Sequence, residues 1–127
     1  MIVTYHPIPG PIKLPFSEAV RVNTTLYVSG QMGVEMGDAS VTLVPGGIEA
    51  ESRKAIENMK AVLERHGSSL DRVVKVTVML ADMADWPAFN AIYAPYFTKH
   101  LPTRSAFGAS GLALGGRVEI ECIATVD

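Results

Sequence analysis

Apolar and polar residues alternate most clearly in two stretches of the chain. In Val73 to Leu80, VVKVTVML, Val74, Val76 and Val78 alternate with Lys75 and Thr77. In Arg117 to Val126, Val118, Ile120 and Cys122 alternate with Glu119, Glu121 and Ile123. A period of two with β-branched residues marks a strand whose two faces meet different surroundings. A shorter strand is expected at Ser105 to Ala109, joined to the last one by the loop SGLALGG. Nearer the start, EAVRVNTTLYVSGQ reads as a hairpin. Ala19, Val20 and Val22 form one arm and Asn23-Thr24 the turn. Leu26, Tyr27 and Val28 form the other arm, which ends at Ser29-Gly30.

Over Ile48 to His66 the period lengthens. Ala55, Ile56, Met59, Val62 and Leu63 recur at three- and four-residue spacing, with Arg53, Lys54, Glu57, Lys60 and Glu64 on the other face. This predicts an amphipathic helix stopped by Gly67. A second helix is expected after Asp82 or Asp85, either of which can cap it, with Pro87 tolerated in its first turn. It carries Phe89, Ile92, Tyr93, Tyr96 and Phe97, and Pro95 predicts an irregular last turn. Two segments lack a period. HPIPGPIKLP, with four prolines, reads as an extended lead-in. MGVEMGDASVTLVPGG, rich in glycine, reads as a loop closed by Gly46-Gly47.

The predicted order is β-β-α-β-α-β-β. It implies an α+β sandwich with a mixed sheet and two helices packed on one face, in one domain over residues 1–127. The other sheet face is part polar and part apolar, which suits a subunit interface. Composition agrees with that reading. The 127 residues are 48% hydrophobic and 19% charged, with a mean hydropathy of +0.22. That apolar surplus is large for a small domain.

Charge narrows the classes of partner. A formal net charge of −2 without a basic tract disfavours nucleic acid. No apolar run reaches the ~18 residues of a membrane span, and the start does not read as a signal peptide. Cys122 is the single cysteine, so no internal disulfide is possible, and a cytoplasmic location is expected. Phosphate-loop, dinucleotide and zinc motifs are missing. His6, His66 and His100 are far apart in the chain, so no metal site is expected. Cys122 sits mid-strand and reads as a packed thiol.

Chemistry then rests on PTRSAFGASGLALGGRVEIE, Pro102 to Glu121. Two readings of Arg104 stay open on these residues alone. It can form an ion pair at a strand end with Glu119 or Glu121. Or its planar fork can receive a substrate carboxylate, with Glu119 nearby as a base or water-positioning group.

The same stretch resembles the signature of the RidA/YjgF family of enamine/imine deaminases. LPFSEAV, LYVSGQMG, ENMKAVLE and VVKVTVMLADMADWPAFNAIYAPYF resemble further family segments in the same order over roughly residues 14 to 127. The resemblance implies a chorismate-mutase-like fold and a homotrimer with sites between subunits. It implies hydrolysis of a 2-imino or enamino acid to a 2-keto acid and ammonia, without cofactor or metal. Arg104 would hold the carboxylate and Glu119 would position the water. Backbone groups around Ser105, Ala106 and Gly30 would line the pocket, with Asn90 and Phe16 beside it. Phe16 stands where many relatives have Tyr, Ala106 where some have Cys, and Glu18 and Glu51 where Gln is common. The loss of a hydroxyl at Phe16 predicts a more apolar pocket and a preference for longer aliphatic side chains. The rival readings are a non-catalytic trimeric carboxylate-binding module, a pathway-specific aminoacrylate-type hydrolase of the same family, and a chorismate-mutase-like activity.

Overall fold

The computed structural model describes residues 1–127. Six strands form one sheet in the order β1-β2-β3-β8-β6-β7. They are β1 (Val3–His6), β2 (Ala19–Val22), β3 (Thr25–Met32), β6 (Val73–Leu80), β7 (Thr103–Gly108) and β8 (Val118–Thr125). Neighbours are antiparallel except β6 and β7, which run parallel because helix α2 (Trp86–Tyr93) intervenes. The short strands β4 (Val34–Met36) and β5 (Val41–Leu43) form a separate hairpin. Helix α1 (Gly47–Arg65) follows it.

Both helices cover the same face of the sheet. Ile56, Met59 and Leu63 of α1 pack with Leu26, Val76 and Ile120 of the sheet, all fully buried. Phe89, Ile92 and Tyr93 extend this core under α2. The helix ends follow local chemistry. Gly67 takes φ 83°, a left-handed conformation that glycine adopts without steric cost after α1. Asp82 accepts a hydrogen bond from the Ala84 amide at 2.9 Å in the turn before α2, and a 3-10 turn at Ala94–Tyr96 accommodates Pro95.

The other face carries Tyr27, Ile123, Thr77, Met79 and Phe107, together with Glu119 and Glu121. Tyr27 and Phe107 remain about half exposed there.

Three details differ from the sequence reading. Val3–His6 is a strand, although nothing in its burial demands one. It is recruited by pairing with β2, and Asn23 ties it down by accepting from the Ile2 amide at 3.1 Å and donating its own amide to the Ile2 carbonyl at 2.9 Å. The glycine-rich stretch contains the β4–β5 hairpin rather than a plain loop. The Asn58 side chain of α1 holds it by donating to the carbonyls of Met32 and Val34 at 3.0 and 2.9 Å. Such short strands depend on tertiary anchors. Finally, a register shift between Val73 and Lys75 turns Val73 inward with Val76 and leaves Val74 exposed.

This irregularity predicts an asymmetry among the valines of β6. Val76→Ala should cost about 1.5–3 kcal/mol in urea unfolding, and Val74→Ala about 0.5 kcal/mol or less. Equal costs would mean that the strand alternates without interruption.

Candidate active site

The site begins with Glu119, the second residue of β8. It pairs with Met79 on one side and Met32 on the other and faces away from the helices. Opposite it, β3 is irregular between Val28 and Gln31, where Ser29 and Gly30 lie. A Cβ on Gly30 would stand 1.9 Å from Glu119 Oε2, so the glycine makes the space in which the carboxylate lies. Ser29 Oγ donates to the Ser17 carbonyl at 2.6 Å, and the Ser29 amide donates to the Glu18 carbonyl at 3.0 Å. These bonds lay the lead-in against the bulge and set Phe16 on the rim. Phe16 is 51% exposed there. Glu119, Gly30 and Phe16 share a cavity of about 890 Å³ with Leu14, Met32 and Leu114.

The start of β8 is held by a buried acid. Glu51 of α1 accepts from the Arg117 amide at 2.8 Å, and the Arg117 side chain donates to Asp85 Oδ2 at 3.0 and 2.9 Å. Nothing comparable compensates Glu119. Burial pushes its carboxyl above the usual range, and the like charge of Glu121 adds to the effect. A half-buried carboxylate without a donor of its own is suited to accept from water and takes up a proton more readily than an ordinary surface carboxylate.

Arg104 lies on the other side of the sheet. It pairs with Val76, which is fully buried beneath the helices, so its side chain points toward α2. There Nη2 donates to Asn90 Oδ1 at 2.7 Å. The guanidinium carbon stands 4.8 Å from the Tyr93 ring centre and 5.8 Å from that of Phe89. This is cation–π geometry. Burial pushes the Tyr93 hydroxyl up to about 12, against the pull of Arg104, so the ring stays neutral. None of the chain's ion pairs includes Arg104. One donor is fixed by Asn90, and the rest of the fork is free for a planar anion.

The expected residues therefore fall into two groups. Phe16, Gly30 and Glu119 line one cavity. Arg104 and Asn90 form a second cluster across the sheet, with Ala106 half-buried beside the core on the same strand. Ser105 pairs with Thr77 and faces the open side with Glu121. The ion-pair reading of Arg104 fails, because Glu119 and Glu121 point to the opposite face. One copy of the chain does not unite the expected site.

Sequence reasoning missed the Tyr93 platform, although Phe89, Asn90 and Tyr93 share one helical face at three- and four-residue spacing. It also placed His6 and His66 apart, whereas their rings stack at 4.1 Å. No set of three His, Cys, Asp or Glu side chains gathers to hold a metal ion.

The raised Glu119 carboxyl predicts a linkage effect. A carboxyl raised by folding stabilises the fold below its unfolded value, and that stabilisation is lost as pH rises through the folded one. At neutral pH the ionised Glu119 is a cost, so Glu119→Gln should unfold at the same or higher urea concentration than the parent. Carbon-13 titration should place Glu119 above the ordinary ~4.3, and Glu121→Gln should lower that midpoint. A midpoint at or below the ordinary value would remove the argument for an uncompensated carboxylate.

The sequence model of the Endoribonuclease L-PSP family matches residues 9–126. The chain is 46% identical over 110 residues to the 2-iminobutanoate/2-iminopropanoate deaminase of Mus musculus, covering 87% of this chain and 80% of that protein. It is 41% identical over 123 residues to the Homo sapiens protein of the same name, covering 97% and 88%. Among solved structures, the yeast protein YEO7 superimposes with a TM-score of 0.88 at 38% identity, over 99% of this chain and all of that one. RidA from an Antarctic Psychrobacter gives 0.81 at 35% identity, over 92% and 94%. With its helix-covered sheet, its PTRSAFG strand and its closing VEIE, the chain belongs to the Endoribonuclease L-PSP family, the RidA/YjgF group of imine deaminases.

Proposed function

We propose that the protein hydrolyses 2-imino acids to 2-keto acids and ammonia, and that it does so as a homotrimer with sites between subunits. One observation carries this reading: Arg104 and Glu119 are each left without a countercharge, on opposite faces of one sheet. An arginine fork open to an anion and a carboxylate open to water are two halves of one site. A neighbouring subunit that sets its β7 against the Glu119 cavity would join them. The outer edge of β7 has no strand partner, and the apolar residues of the open sheet face offer the surface for such an assembly.

The roles follow from the chemistry. The guanidinium of Arg104, held flat by Asn90 and Tyr93, takes the substrate carboxylate through two parallel hydrogen bonds. The protonated C=N carbon is already an electrophile, so a water held by Glu119 needs only to lose a proton as it attacks. Its oxygen bonds to carbon, the C=N π electrons return to nitrogen, and Glu119 takes the proton. Glu119 then gives that proton to the nitrogen, and as the C–N bond breaks the O–H electrons of the carbinolamine form the C=O bond while its proton passes back to Glu119 and on to solvent. Ammonia leaves and the 2-keto acid remains. General base catalysis of this kind supplies about 10²–10⁴ in rate, and the raised Glu119 carboxyl supports both directions of transfer. The deaminase names of the curated relatives support the same reaction. A pure binding module is less well supported, since an unpartnered Glu119 would repel the anion it was meant to hold.

Assembly is checked first. Light scattering at micromolar concentration should give about three times 13.6 kDa. A monomer would exclude a shared site.

Function is checked with imines made in situ by an amino-acid oxidase, following ammonia and keto acid. Arg104→Lys and Glu119→Gln should each lose most kcat/KM, with Glu121→Gln near the parent. The two inactive variants, unfolded together and reassembled, should recover about a quarter of parent activity, the share of sites that receive both intact residues by random mixing. No recovery from a reassembled trimer would place both residues in one subunit's site or make one of them structural.

A further inference from the structure

The loop from Pro7 to Ser17 supplies one wall of the Glu119 cavity through Ile8, Pro9, Leu14 and Phe16. Between Pro7 and Phe16 it makes no hydrogen bond to the rest of the chain. Its position depends on apolar contact and on its two feet. The feet are His6, which ends β1, and Glu18, which precedes β2. They meet directly, the Glu18 amide donating to the His6 carbonyl at 2.8 Å.

A charged cluster sits on these feet. The Glu18 side chain is only 7% exposed and accepts from Arg65 Nη2 and Nε at 2.5 and 3.2 Å. His66 Nε2 stands 2.7 Å from Oε2, the oxygen that also accepts from Arg65 Nε. The His6 ring then stacks on His66, with ring centres 4.1 Å apart and planes 27° apart. One foot of the loop is thus locked to α1 through the carboxylate, and the other through the stacked imidazoles. Arg65 and Glu18 also line the cavity.

We propose that His6, Glu18, Arg65 and His66 form an acid-labile clamp that positions the Pro7–Ser17 wall against the substrate's side chain and so sets the enzyme's selectivity for long apolar side chains. This rests on the reading that the cavity receives an imino acid. The substrate class it favours has a side chain long enough to pass Glu119 and touch Leu14 and Phe16.

Acid lability follows from the charges that face His6. They are His66, just past α1, and, through the shared carboxylate, Arg65 of α1, together with Glu18, just before β2, and Arg21 of β2. A proton on His6 would set a cation against the ring of His66, and the carboxylate is already taken up by two donors. Burial and His66 both hold the His6 imidazole below its ordinary value. The fold therefore favours neutral His6. Its contribution is complete above about pH 6.5 and is lost as pH falls through the lowered value. Glu18 stays ionised across that window. Burial alone would raise its carboxyl, but the hydrogen bonds from Arg65 and His66 outweigh burial and hold it below the usual range.

The test compares kcat/KM for the imines of leucine and alanine at about pH 8 and about pH 5.5. Taking a ratio cancels the pH dependence of the shared chemistry. In the parent, the leucine-to-alanine ratio should fall about 10-fold on acidification, in the range one apolar contact provides. His6→Phe keeps a ring to stack on His66 but accepts no proton, and should hold the ratio constant. His6→Gln serves as the second non-titrating variant. Glu18→Gln should lower the ratio at both pH values. Amide exchange at Glu18, corrected for intrinsic rates, reads the clamp without activity. Its protection should fall with acid in the parent and not in His6→Phe. A flat parent ratio with active enzyme, or an unchanged acid response in His6→Phe, would overturn the clamp and leave the deaminase reading intact. Acid-dependent exchange without turnover of any imine would do the reverse.

Discussion

The two-residue pleat of β8 is the constraint on which the molecule depends. Val118, Ile120, Cys122 and Ala124 must all face the helices, since they are this strand's part of the core. Residues between them have no choice of side, so Glu119 and Glu121 are delivered to the open face. β6 carries the same alternation across to β7 and turns Arg104 under α2. Core packing therefore decides where the reactive groups go. The polarity of the site follows from it, as does the separation of Arg104 from Glu119 within one copy of the chain.

Three glutamates near the cavity show how one residue type is put to different uses. Glu18 is buried and compensated by Arg65 and His66. Glu51 is buried and spends its charge on the Arg117 amide, which fixes the entry to β8. Glu119 receives neither cation nor donor and carries the raised carboxyl. A buried acid with partners holds structure, whereas one without partners stays open to water.

Arg104 shows the complementary arrangement. Asn90 and Tyr93 orient its fork without neutralising it, since neither carries a charge. An acidic partner in their place would have occupied the donors that now remain open. The aromatic face also excludes water from one side of the guanidinium, which strengthens the bonds left to the other.

Much of this could be read from the residues in order. The period of α1, the strands β6 and β8 and the Asn23-Thr24 turn are local, because each is set by side chains within a few residues of one another; the expected cap of α2 is not made, since Asp82 caps the turn before it and Asp85 accepts from Arg117. Arg104 and Glu119 could be singled out as candidates through the resemblance of their segments. What the sequence could not supply was adjacency. β1 and the β4–β5 hairpin bury too little to announce themselves and exist because distant residues, Val22, Asn23 and Asn58, pair with them. The separation of Arg104 from Glu119 needed the strand order, since alternation fixes a face only within one strand. The stacking of His6 on His66 around Glu18 joined three parts of the chain that no local pattern connects. Short-range spacing determines which side of an element is apolar, and only the assembled sheet, through its strand order and register, determines which elements share that side.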